Sequence, residues 1–185
     1  MNNEIFDSYH NWTSEIISEE DIKLKITGRY WNRSFNSDNL TSKTNEILLD
    51  LKLKSILDYG AGMGRNLDLL RKYSPVVDYI DFDVYKEYAK NLKYDNIFFI
   101  KMEIDKFEKK YDLIYSSLVI QHIKNEIVMN SIIDFMHKNA KHVFLVQNSQ
   151  VPLPSFGNDF KLINSELYTD DFTVDHVYNL YKVSN

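Results

Sequence analysis

From residue 55 onward, short apolar runs alternate with stretches whose apolar residues recur at helical spacing. Ser55–Tyr59 (SILDY) is predicted as a short buried strand, and Val76–Ile80 as a second that ends at Asp81. Ile97–Ile100 (IFFI), Tyr111–Tyr115 (YDLIY) and His142–Val146 (HVFLV) give three more. Between them, Asn66–Tyr73, Val84–Leu92 and Asn125–His137 carry the period of a helix. Such alternation predicts βαβ units on a parallel sheet. The tail departs from it: Phe160–Leu167 and Val174–Val183 follow one another around Thr169-Asp170-Asp171 with no helix between, so they must pair antiparallel. Ahead of the alternating region, residues 1 to about 40 are irregular and aromatic. They contain one predicted helix, Ser18–Ile26, capped by Ser18 and stopped by Gly28. A second, from Ser42 to Leu51, places Ile47, Leu48 and Leu51 on one side.

A chain of 185 residues and 22.0 kDa suits a single domain, with residues 1–50 as a helical lid and substrate segment and 51–185 as the core. It has no cysteine, which removes disulfides, cysteine nucleophiles, zinc-thiolate sites and iron–sulfur clusters together. Charge narrows the partners. Lys and Arg total 22 against 27 acids, a net charge of -5, with no basic stripe of the kind a nucleic-acid surface shows. No apolar run reaches the roughly 18 residues of a membrane span, and Met1-Asn2-Asn3-Glu4 lacks the pattern of a secretory signal. The expectation is a cytoplasmic protein, monomeric or homodimeric, that binds neither nucleic acid nor membrane.

The most informative stretch is Ile56-Leu57-Asp58-Tyr59-Gly60-Ala61-Gly62-Met63-Gly64-Arg65-Asn66. A buried strand delivers the chain to a glycine-rich turn, and a helix begins at once. Glycines let a ligand lie against bare backbone, and the helix start offers unpaired N–H groups. A dinucleotide fold asks for G-x-G-x-x-G, but here the third glycine comes one residue early and Arg65 stands at the last position. Asp81, 23 residues after Asp58, can accept both hydroxyls of a ribose from the second strand's tip; Asp83 suits a helix cap better.

With Asp58 two residues before the first glycine, the segment resembles the first motif of class I S-adenosylmethionine-dependent methyltransferases. After the third strand, Lys101-Met102-Glu103-Ile104 is similar to that family's adenine-reading step, with Glu103 where Asp is commoner. The fourth strand, Tyr111-Asp112-Leu113-Ile114-Tyr115-Ser116-Ser117-Leu118-Val119-Ile120-Gln121-His122-Ile123, resembles the signature of the small-metabolite members. The resemblance implies a Rossmann-like α/β fold, a mostly parallel seven-stranded sheet of order 3-2-1-4-5-7-6 with strand 7 antiparallel and helices on both faces. It implies S-adenosyl-L-methionine as cofactor and S-adenosyl-L-homocysteine as product. The cofactor edge would comprise Arg33, Asp58, Tyr59, Gly60, Ala61, Gly62, Asn66, Asp81, Phe82, Met102, Glu103 and Ser116. Among these, Arg33 resembles a pre-sheet arginine that some members fold over the cofactor's carboxylate, a planar group that a guanidinium binds bidentately.

A sulfonium methyl group is already electrophilic, so the protein must mainly orient an acceptor and, for a hydroxyl or protonated amine, remove a proton. His122, just past the fourth strand, is the candidate base, or else a residue that orients the site; Tyr30 is a weaker candidate. Trp12, Tyr30 and Trp31, with Phe35, could form an aromatic lid, and Arg65 could point at the acceptor. Serines stand where related metal-dependent enzymes carry acids and where adenine-directed enzymes carry N-P-P-Y. Metal-independent O- or N-methyl transfer to a small metabolite, carbohydrate-like or derived from an amino acid, is therefore expected. The alternatives are a non-catalytic subunit that keeps the fold, and an NAD-dependent oxidoreductase.

Overall fold

The computed structural model describes residues 42–62, 64, 66–82, 93–100, 107–152, 154–169 and 175–184. In chain order the elements are α1 (Ser42–Asp50), β1 (Ile56–Tyr59), α2 (Leu67–Leu70), β2 (Val77–Phe82), β3 (Ile97–Ile100) and β4 (Tyr111–Ser117). A 3-10 turn (Ile120–His122), α3 (Glu126–Asn139), β5 (Ala140–Asn148), β6 (Phe160–Thr169) and β7 (Asp175–Val183) complete them. The expected helices Ser18–Ile26 and Val84–Leu92 lie outside the described residues.

All seven strands join one sheet of order β3-β2-β1-β4-β5-β7-β6. The first five are parallel, and β7 runs antiparallel to both β5 and β6. Order and directions are those implied by the family resemblance. Because side chains alternate across a strand, the sheet has two apolar faces. Ile56, Val77, Tyr79, Leu113, Tyr115, Phe144, Tyr178 and Leu180 form one, packed with Leu48 of α1 and Leu69 and Leu70 of α2. Leu57, Ile80, Ile114, Val143, Leu145 and Tyr181 form the other, covered by Ile132, Phe135 and Met136 of α3. Central strands buried on both faces read as continuous apolar runs, which is why ILDY stood out.

Helix α1 is tied to the sheet by polar contacts as well. Buried Thr44 donates to Oε2 of Glu166 and accepts from Nδ2 of Asn164 at 2.9 Å, both on β6. The hydroxyl of Tyr73 donates to Oδ1 of Asn45 at 2.8 Å.

Boundaries moved where tertiary pairing outweighed local pattern. The helix expected over Asn66–Tyr73 is α-helical for four residues, Leu67–Leu70, and continues as tight turns with i→i−3 bonds from Lys72 to Leu69 and Tyr73 to Leu70. Strand β2 extends one residue past Asp81, because its ladder with β3 runs on to Phe82 and Ile100. Strand β4 is longer than predicted, since Ser116 and Ser117 pair with Leu145 and Val146; β5 is longer because Ala140 pairs with Tyr111, and Gln147 and Asn148 pair with Val177 and His176 of β7. Serines carry no apolar signal.

Near the amino ends of the strands, Asp78 of β2 has a fully buried side chain. It accepts from Asn96 Nδ2 and the Tyr111 hydroxyl, each at 2.8 Å, and pairs with the ammonium of Lys109. Asp78→Ala would leave these donors around an empty site. We expect a loss of about 3 kcal/mol, read as a lower urea midpoint, with S-adenosylhomocysteine affinity unchanged because the cluster sits at the opposite edge from the glycine turn. Equal stability in urea would contradict this.

Candidate active site

The strand order reverses between β1 and β4, where open α/β sheets leave a crevice at their carboxyl ends. The glycine turn leaves β1 on one side of that crevice, and the Leu118–His122 segment leaves β4 on the other.

Gly60, Gly62 and Gly64 all have positive φ, +74°, +58° and +78°, a region in which a side chain is strained. The turn is closed by Gly60 N–H donating to Ile80 O at 2.8 Å and Gly64 N–H to Ala61 O at 3.0 Å. Two side chains from β2 hold Gly62. Its N–H donates to Oδ2 of Asp81 at 2.7 Å, and its carbonyl accepts from the Tyr79 hydroxyl at 3.0 Å. The acid expected to meet a ribose therefore also pins the turn, which couples the two. Tyr79, fully buried, was missed in the sequence because its spacing in VDYIDF reads as core, and core is where its ring lies.

Asp58 is wholly buried, and its Oδ2 accepts from the Tyr94 hydroxyl at 2.8 Å. Burial raises the pKa of Tyr94, and the negative charge of Asp58 raises it further, so the phenol stays protonated and remains a donor. Tyr59 packs against Phe135; burial first, and Asp81 second, push its hydroxyl well above the ordinary range. The Ser116 hydroxyl, buried, donates to Tyr59 O at 3.0 Å and locks the end of β4 to the end of β1. Ala61 is in the core. Asn66 precedes α2 at 2% exposure, and its Oδ1 has no hydrogen-bond partner among the described residues, an unmet acceptor at the rim of the turn. Phe82 ends β2 beside Ile100.

The far wall is built by strain. Leu118 sits at φ +61°, a left-handed conformation costly for a branched side chain. It is held there by its N–H bond to Val146 O at 2.7 Å. The turn lays Val119 against Gly60: a β-carbon on Gly60 would come within 2.4 Å of a Val119 methyl. Sequence reasoning placed ligand in that space. The nearest neighbour of an added β-carbon is Val119, so the bare backbone at Gly60 also lets the turn after β1 pack against the segment after β4.

The 3-10 turn then carries Gln121 and His122. Asn148 N–H at the end of β5 donates to Gln121 Oε1 at 2.8 Å, which turns the amide nitrogen of Gln121 toward His122 Nε2 at 3.2 Å. An amide N–H there requires Nε2 to be an acceptor, so the imidazole is neutral with its proton on Nδ1. Burial, and next the charge of Lys124, lower the pKa of His122 below the ordinary 6.5. The folded chain favours the neutral ring, so this group's contribution to stability is full above that value and is lost as the pH falls through and below it. We expect the imidazole C–H resonances of His122 to titrate below 6.5, and Lys124→Met to move the midpoint upward. A midpoint at or above 6.5 would contradict the burial.

Arg33, Met102, Glu103, Trp12, Tyr30, Trp31 and Arg65 lie outside the described residues. Among the described residues no cluster of three or more His, Asp or Glu could hold a metal ion, and no helix is long and apolar enough to cross a membrane.

This sheet order, with a glycine turn after β1 and a buried acid on β2, defines a class I S-adenosylmethionine-dependent methyltransferase. The chain belongs to the methyltransferase domain family, whose pattern matches residues 31–178. Among solved structures, N-methyltransferase NodS from Bradyrhizobium japonicum WM9, in complex with S-adenosyl-L-homocysteine, superposes with a TM-score of 0.64 at 14% identity. The alignment covers 97% of this chain and 100% of NodS. TehB from Haemophilus influenzae gives 0.56 at 16% identity, over 84% of this chain and 66% of that one. Magnesium protoporphyrin IX methyltransferase (ChlM) from Synechocystis PCC 6803, solved with bound SAM, gives 0.50 at 11%, over 96% and 90%. At such identities the likeness is one of fold. No curated protein sequence matches the chain.

Proposed function

We propose that this enzyme transfers the methyl group of S-adenosylmethionine, without a metal, to an oxygen or nitrogen of a small cytoplasmic metabolite, carbohydrate-like or derived from an amino acid. The observation that carries the reading is the Asp81–Gly62 bond. It places an acid at the end of β2 and the bare turn after β1 in one rigid unit, opposite His122 at the exit of β4.

Asp81 would accept the ribose hydroxyls, the turn from Gly60 through Gly62 would lie along the cofactor, and Asn66 would offer its unmet oxygen to a donor there. Asp58, Tyr59, Ala61 and Ser116 would support that edge from beneath, with Phe82, Met102 and Glu103 around the adenine. Arg33 would bind the carboxylate at the methionine end. Residues 1–50 would form the acceptor side of a single domain, with Trp12, Tyr30, Trp31 and Arg65 against the substrate and α1 joining this segment to the sheet.

When bound, the sulfonium supplies a methyl carbon ready for attack. The chain's task is to hold the acceptor's lone pair in line with the carbon–sulfur bond, whose electrons return to sulfur as the new bond forms. His122 is suited to take the acceptor's proton on Nε2 once the acceptor displaces the Gln121 amide N–H from that lone pair; burial keeps the ring neutral, and the Gln121 contact holds the proton on Nδ1 beforehand. A base of this kind contributes about 10²-fold or more. Ser116 and Ser117 occupy the end of β4, where a metal-dependent site would need carboxylates.

The test is methyl transfer from labelled cofactor to panels of sugars, amino-acid derivatives and short RNAs, with and without chelator. Product on a small metabolite, undiminished by chelator and reduced about 10²-fold in His122→Asn at unchanged cofactor affinity, is expected. Transfer to RNA alone, or loss of activity with chelator, would overturn the reading.

A further inference from the structure

Strand β6 ends the sheet, and among the described residues no strand pairs with its outer edge. At ten residues it is long for an edge, and an edge this long offers a row of backbone donors and acceptors that another extended strand can satisfy. It is also apolar. Of the five exposed large hydrophobic residues among the described residues, three lie on it: Leu162, Ile163 and Leu167, at 48%, 37% and 62% exposure.

The pattern along β6 is self-complementary. Its ladder with β7 has nine rungs, and Ser165, opposite Asn179, is the middle one. Ile163 is the extra residue of a β-bulge between Leu162 and Asn164. Without the bulge, Leu162 and Leu167 would point to opposite faces, because their numbers differ by five. With it, Leu162 lies opposite Tyr181 and Leu167 opposite Val177, two positions of the same face of β7, the face that α3 covers farther in. Leu162 and Leu167 then stand two rungs either side of Ser165.

We propose that the chain forms a two-fold homodimer by antiparallel pairing of β6 with β6 of a second copy, centred on Ser165. That register sets Leu162 against the partner subunit's Leu167, and Leu167 against the partner subunit's Leu162, both on the α3 face. On the other face Asn164 and Glu166 stay bonded to Thr44 of their own α1, and exposed Lys161 lies diagonal to the partner's Glu166, a favourable charge pairing. One patch serves both subunits, as a closed two-fold interface requires. A hetero-partner strand would need none of this symmetry about Ser165.

The test is sedimentation velocity on the full chain from about 1 to about 200 µM, the concentrations at which small interfaces associate, with hydrogen exchange read on β6. The mass should rise toward twice the 22.0 kDa of one chain, with β6 amides gaining protection as it does. Leu167→Lys, at an exposed position, should weaken association at least about tenfold without lowering the melting temperature. Ile127→Lys, on the exposed start of α3, should leave it unchanged. A chain monomeric throughout this range, a dimer indifferent to Leu167→Lys, or one broken by Ile127→Lys would each overturn the proposal.

Discussion

Gly60→Val is expected to lower stability by about 2 to 5 kcal/mol and to abolish S-adenosylhomocysteine binding in whatever fraction still folds. The first part follows from two independent costs: a left-handed φ of +74° and a β-carbon 2.4 Å from a Val119 methyl. Strain of the first kind costs about 1 to 2 kcal/mol and overpacking of the second about 1 to 3. Ligand space alone would have predicted a stable protein that fails to bind. The two causes separate in a double-mutant cycle. Val119→Ala should recover about 1 kcal/mol or more in the background of Gly60→Ala, and nothing in the wild type. Thermal melts of the four proteins decide it, and purely additive melts would show that Val119 is not the obstacle.

Asp81→Ala should weaken S-adenosylhomocysteine binding by about 1.5 to 3 kcal/mol, the range for a hydrogen bond to a charged group. The substitution removes the proposed ribose acceptor and also releases Gly62 N–H, so the loss belongs at the upper end. Calorimetry on Asp81→Ala and Asp83→Ala distinguishes the candidates. A greater loss for Asp83→Ala would transfer the role to that residue.

The parallel core was legible because its strands, the buried ILDY and the edge strand IFFI among them, are short, mostly apolar and bounded by polar turns. The terminal hairpin was legible because nothing helical separates its halves. Two kinds of information were not. Pairing lengthened β4 through two serines, which have no hydrophobic signature. Packing across the crevice set Val119 against Gly60 and drove Leu118 into a left-handed turn, a contact between residues far apart in sequence that no local pattern encodes. The candidate acids at 58 and 81 were legible by spacing, whereas Tyr94, which bonds Asp58, and Tyr79, which with Asp81 holds Gly62, looked like ordinary core residues. Gln121 was read as part of a signature; its hold on the tautomer of His122 depends on Asn148, which arrives from another strand.

In the proposed function the glycine turn and Asp81 together hold the adenosyl cofactor. Calorimetric titration of the full chain with S-adenosylhomocysteine, and separately with NAD, tests it most directly. One saturable site for S-adenosylhomocysteine at micromolar affinity or better, about −8 kcal/mol, weakened in Asp81→Ala, is expected, with no saturable heat for NAD. Saturable binding of NAD without binding of S-adenosylhomocysteine would contradict it.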